Sequence, residues 1–234
     1  MTYNQLVLWN IDLTLVDVAR VTRAAYAEAF AKVVGRPLVH LPQLAGRTQP
    51  EAFFDALAIN DADMSEACEK LLEPFSSELA RSMRARRDDL TTQGQLMPGA
   101  ADALKAAHNV PDSVQSVLTG TSRANALLKL TAFSLEDYLD LEVGGYGDEV
   151  FPKGTLLSVV RDRASQKYQA VFDETNTFYI GDSPRDVAAA KTGGARSIAV
   201  ASGRSTVTEL SDAGPDEVLT DLSDPAALLR LLIP

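Results

Sequence analysis

At 234 residues, with 46% hydrophobic and 23% charged side chains, the chain has the composition of a globular protein. That length can bury one sizeable core and leave room for a smaller second unit. Its formal net charge of −10 argues against nucleic acid or an anionic membrane as partner, although a local cluster can still hold a small anion.

The single cysteine, Cys68, excludes a disulfide framework and a cysteine-built metal cluster, and fits a reducing cytoplasm. The opening MTYNQ lacks the basic stretch and apolar run of a secretory leader, and no apolar run reaches membrane-spanning length. A cytoplasmic location is expected.

In chain order, Gln5–Trp9 (QLVLW) is an apolar run of the length of a buried parallel strand. The pattern then changes. Val18, Val21, Ala25, Ala29 and Val33 recur at helical spacing, and Met64 to Arg87 is rich in Ala, Leu, Glu and Arg, with no strand pattern. These features predict a helical cap over residues 16–90, inserted into a core built from 1–15 and 91–234. The polar stretch Asp88–Leu96, with one glycine, would serve as the second hinge.

Beyond it, strand and helix patterns alternate. Helices are predicted at Ala100–Ala107, Arg123–Phe133, Thr155–Ser165, Pro184–Lys191 and Pro225–Leu232. Strands are predicted at Val114–Leu118, Thr177–Ile180, Ser197–Val200 and, more weakly, Glu217–Leu219. Pro184 suits the first turn of a helix, and Gly193-Gly194 is a stop signal. The alternation predicts an α/β fold, a Rossmann-like doubly wound parallel sheet with an inserted α-helical cap.

Ligands of such sheets bind beyond the carboxyl ends of the strands. The residues there are Asn10, Asp12 and Thr14, then Thr119, Gly120 and Thr121, then Asp182 and Asp186 of GDSPRD, with Lys153 of GDEVFPKG ahead of a helix. A phosphate ester would use each type. Carboxylates and a carbonyl hold Mg²⁺, an amine and a hydroxyl with backbone N–H groups hold phosphate oxygens, and further carboxylates attack phosphorus or carry a proton. Taken singly, Asp12 and Thr14, or Asp182 and Ser183, could equally cap helices, and Lys153 could be a solvated lysine.

Four ordered segments resemble the haloacid dehalogenase superfamily of phosphohydrolases. The first, usually Asp-x-Asp-Gly-Thr-Leu, stands as Asn10-Ile11-Asp12-Leu13-Thr14-Leu15; Thr119 in SVLTG, Lys153 and GDSPRD match the others. MPGAADAL (97–104) and AGRTQPE (45–51) resemble further segments of phosphoglycolate-phosphatase-like members. The resemblance implies a nucleophile at position 10 that forms an aspartyl-phosphate, and Asp12 as acid and then base. Thr119, Gly120, Thr121 and Lys153 would hold the phosphoryl group. Asn10, Asp12 (through its carbonyl) and Asp182 would be metal ligands, and Asp186 either lies in the metal's outer shell or orients Lys153. The implied activity is Mg²⁺-dependent hydrolysis of a small phosphorylated metabolite. A sugar-phosphate mutase and a non-catalytic phospholigand-binding protein are the alternatives. Haloalkanoate dehalogenation fits less well, because those relatives use one first-motif aspartate and no metal.

Two positions depart from the pattern. Asn10 keeps the size of aspartate without its charge or nucleophilic oxygen, which predicts binding without turnover. An engineered trap, a natural pseudoenzyme and a misread motif all remain open; the intact Asp12, Thr119, Lys153, Asp182 and Asp186 favour replacement over drift. Leu13 stands where glycine is usual, a residue that cannot freely adopt positive φ. Arg47 could reach from the cap to a substrate carboxylate or second phosphate, while Thr48 and Glu51 form a capping-box pattern. His40 and His108 are expected to be structural or exposed, Trp9, Phe53 and Phe54 to pack the core and cap, and Arg81–Arg87 to be a solvated helix face.

Overall fold

The computed structural model describes residues 3–61, 66–149 and 152–233. Five parallel strands form the central sheet: β1 (Gln5–Trp9), β4 (Ser113–Val117), β5 (Thr177–Gly181), β6 (Arg196–Val200) and β7 (Glu217–Leu219), in the spatial order β4-β1-β5-β6-β7. β1 pairs with β4 from Gln5↔Ser113 to Trp9↔Val117 and with β5 from Leu6↔Thr177 to Trp9↔Ile180. It is therefore the strand at which the order reverses, the switch point of a doubly wound sheet.

β1 is buried along its whole length, and apolar from Leu6 to Trp9, because helices cover both faces. Val7 and Trp9 face one side, in the cluster that includes α5 (Ala100–His108), α6 (Arg123–Ala132) and α10 (Pro225–Leu232). Leu6 and Leu8 face the other, against α7 (Lys153–Tyr168) and α8 (Pro184–Gly193). The indole of Trp9 stays satisfied in this core by donating to Gln115 Oε1 at 2.8 Å.

Between β1 and β4 lie α1 (Ala19–Val34), α2 (Gln49–Ile59), α3 (Leu72–Ala85) and α4 (Asp89–Gln93). The helical stripe from Val18 to Val33 becomes α1, whose Tyr26 ring meets Phe75 of α3 edge-on at 4.9 Å. Phe53 of α2 stacks on Phe75 at 4.4 Å, so one aromatic cluster joins the three helices. Phe54 is only half buried.

Several sequence expectations are corrected. Residues 16–90 do contain a strand: β2 (Val16–Asp17) pairs antiparallel with β3 (Gln95–Leu96), a short ribbon joining the two chain crossings. The expected polar hinge at Asp88–Leu96 carries α4 and β3. Lys153 is the first residue of α7 rather than ahead of it. The Arg81–Arg87 segment is more than a solvated face, because Arg81 and Arg86 both pair with Glu28 of α1, tying α3 to it. The helix expected from Met64 has its first residues outside those described; a 3-10 turn at Glu66–Leu71 leads into α3. His40 and His108 are exposed. Among the described residues no helix is long and apolar enough to cross a membrane.

Candidate functional site

The carboxyl ends of β1, β4 and β5 bring most of the expected residues together. Asn10, immediately after β1, is 5% exposed, and its side chain makes four hydrogen bonds. Its Nδ2 donates to the Asp12 carbonyl at 3.0 Å, Thr14 Oγ1 at 3.2 Å and Asp182 Oδ1 at 3.0 Å. Its Oδ1 accepts from Lys153 Nζ at 3.2 Å. Acceptors on one side and an ammonium on the other fix which end of the carboxamide is nitrogen.

Thr14 also donates to Asp182 Oδ1 at 2.9 Å, so it serves the site and caps nothing; the cap of α1 comes from Asp17, whose Oδ1 accepts from Ala19 N. Asp186 does two jobs. Its Oδ2 accepts from the backbone N and hydroxyl of Ser183, the N-cap of α8. Its Oδ1 accepts from Lys153 Nζ at 2.7 Å and from the Tyr179 hydroxyl at 2.8 Å. Lys153 and Asp186 are 3% and 2% exposed, a buried ion pair anchored at the start of two helices.

Burial and the neighbouring Asp186 push Asp182 up to about 7. Burial also acts on Asp186, but Lys153 and the Ser183 and Tyr179 hydrogen bonds outweigh it and hold that carboxyl low. The two acids are thus driven apart by which of them holds the lysine.

Thr119 is buried at the end of β4, its N–H bound to the Gly145 carbonyl and its Oγ1 accepting from Thr121 N at 3.3 Å. Gly120 is required by close approach: a Cβ there would lie 1.6 Å from the Arg47 carbonyl oxygen. The cap loop therefore rests directly on the strand end. Gly203 makes a similar approach on the other flank, where a Cβ would meet Asp182 Oδ2 at 2.1 Å.

Lys129 was not foreseen. Its Nζ donates to both carboxylate oxygens of Asp12 at 2.7 Å, and the side chain is 2% exposed. The available signal was a charged residue on the buried face of α6, beside Asn125, Ala126 and Leu130. Arg47 pairs with Asp55 of α2, while Thr48 N and Oγ1 both donate to Glu51, as the capping-box pattern expects. Leu13 adopts φ 63° despite its side chain, held by its N–H to the Val16 carbonyl and its carbonyl to Ser202 Oγ.

A cavity of about 140 Å³ spans this cluster and the underside of the cap. Asn10, Asp12, Thr119, Gly120, Thr121, Lys129 and Lys153 line its core end. Among the described residues no three His, Cys, Asp or Glu side chains group as a metal site by themselves. The mixed oxygen set nevertheless suits magnesium. The Asp12 carbonyl and Asp182 Oδ1 converge on one point, and burial together with the Asp186 charge raises the pKa of Asp182 despite the nearby Lys153. In this structure the Asn10 amide nitrogen stands at that point.

A model of the haloacid dehalogenase-like hydrolases matches residues 7–191. No match is found among curated proteins. A hydrolase from Pseudomonas syringae superposes with TM-score 0.72 at 20% identity, over 98% of this chain and 100% of that one. A protein named "predicted phosphatase" from Clostridium acetobutylicum gives 0.71 at 18%, covering 98% and 100%. One named "predicted phosphoglycolate phosphatase" from Haemophilus somnus gives 0.66 at 18%, covering 98% and 99%. Likenesses at this identity speak for the fold.

Proposed function

This chain belongs to the haloacid dehalogenase-like hydrolases, and we propose that it binds the phosphoryl group of a small phosphate monoester in a phosphatase site stopped before covalent chemistry. The observation that supports this most is the set of bonds around position 10: everything a nucleophilic aspartate would need is gathered there, and the residue is a carboxamide. Thr119, Gly120, Thr121 and Lys153 receive the phosphoryl oxygens, the hydroxyls and the Gly120 N–H donating while the ammonium supplies charge. The residues that would hold magnesium are Asp182 and the Asp12 carbonyl, where the Asn10 amide nitrogen now stands; the Asn10 oxygen would join them only once the carboxamide flips, and the ion would neutralise phosphate charge. Asp186 positions Lys153. With an aspartate at position 10, Asp12 would protonate the leaving oxygen and later draw a proton from water; its carboxylate is kept in place by Lys129.

Position 10 decides whether these parts turn over. A carboxylate can attack phosphorus, whereas the Asn10 amide nitrogen is a donor committed to three oxygens. The test compares phosphate release by the chain and by Asn10→Asp across a panel of phosphorylated metabolites with magnesium. The aspartate variant is expected to be faster by roughly 10³-fold or more. Equal rates would remove the nucleophile role from this position.

A further inference from the structure

Away from Asn10, the same cavity runs under the cap, and its chemistry changes. Three side chains there each carry a buried polar atom that makes no hydrogen bond among the described residues: Thr22 Oγ1, the Tyr26 hydroxyl and Gln49 Oε1. All three residues line the cavity, among apolar neighbours that include Leu44 and Leu79. Buried polar groups are almost always paired, and a group of unpaired ones around a single cavity points to a partner supplied from outside.

The orientation of Gln49 follows from its neighbour. Ser76 donates its one hydrogen to the Leu72 carbonyl at 2.8 Å, so it can only accept from Gln49 Nε2, at 2.7 Å. The carbonyl of Gln49 is therefore its free end, an acceptor that needs a donor. Burial pushes the Tyr26 phenol well above its ordinary range, so it remains a neutral hydroxyl.

Charge narrows the class further. Of the cations lining the cavity, Lys153 is held by Asp186, Lys129 by Asp12 and Arg47 by Asp55, and Arg204 is solvent-exposed. A carboxylate under the cap would find buried cations only where each already holds a carboxylate of the protein, and would face the Gln49 oxygen. Hydroxyl groups would donate to Gln49 and exchange hydrogen bonds with Tyr26 and Thr22.

We infer that the ester recognised here carries an uncharged, hydroxyl-bearing leaving group, selected by Thr22, Tyr26 and Gln49. This rests on the phosphoryl end lying at Asn10 and Lys153. The test is calorimetric titration of the full chain, with magnesium, using inorganic phosphate, phosphoglycolate and glycerol phosphate. Glycerol phosphate is expected to bind about tenfold tighter than either of the others, the yield of one or two net hydrogen bonds. Tyr26→Phe and Thr22→Val, both close in shape, should each weaken glycerol phosphate by about three- to tenfold while leaving inorganic phosphate within about twofold. Phosphoglycolate binding as tightly as glycerol phosphate, or unchanged glycerol phosphate affinity in both variants, would overturn the inference alone. Failure of inorganic phosphate to bind would instead remove the phosphoryl site, and this inference with it.

Discussion

The two ends of the one cavity obey opposite rules. At the sheet end, Asn10, Thr14, Lys153, Asp182 and Asp186 satisfy one another, each charge or dipole answered within 3.2 Å. At the cap end, Thr22, Tyr26 and Gln49 leave polar atoms unanswered among the described residues. The first is a finished network that holds its shape without a ligand. The second is a surface whose pairing is deferred. A family can keep the sheet end constant and vary the cap end, because only the sheet end is built into the hydrogen bonding of the fold.

The sharpest way to break this contrast is to remove a member of the finished network. Lys153→Met leaves Asp186 buried without its cation and should cost about 3–5 kcal/mol, read by urea unfolding. A loss below about 1 kcal/mol would mean that the pair is not structurally committed.

A smaller effect should follow pH. Asp182 is raised from 3.8 to about 7, so between those values the folded state binds more protons than the unfolded one. Stability should therefore fall as pH rises from about 4 to about 7, by on the order of 2–4 kcal/mol, when divalent cations are chelated. Asp186, held low, acts with the opposite sign only at more acid pH. In Asp182→Asn the decline should flatten; an unchanged slope would assign it to another group.

The smallest change belongs to the cap end. Tyr26→Phe deletes a hydroxyl that has no partner, so it should leave stability unchanged or raise it by up to about 1 kcal/mol in thermal unfolding. Destabilisation by this variant would show that the hydroxyl is paired in solution and that the two ends are alike.

Much of the sheet end could be read from the residues. Short apolar runs ending in Asn10, Thr119 and Asp182 place those side chains on one edge of a parallel sheet, because strand direction settles which ends share an edge. Lys129 escaped this reading: it sits mid-helix on α6, and its partner Asp12 is 117 residues away. The cap trio escaped for the same reason, since α1 and α2 meet only through tertiary packing about Phe75. The two-residue strands β2 and β3 are too short to show a period. Helix α9 (Val207–Asp212) does carry a local signal in the sequence, the capping box of Thr206 and Glu209 at its start.

The bare backbone at Gly120 also has a structural consequence. Because the Arg47 carbonyl rests on it, the loop that roofs the chamber touches the wall where phosphate oxygens are expected to dock. Roof and wall then share one contact. Any side chain at position 120 would have to push that loop aside, so a single substitution there is expected to disturb the roof and the wall together.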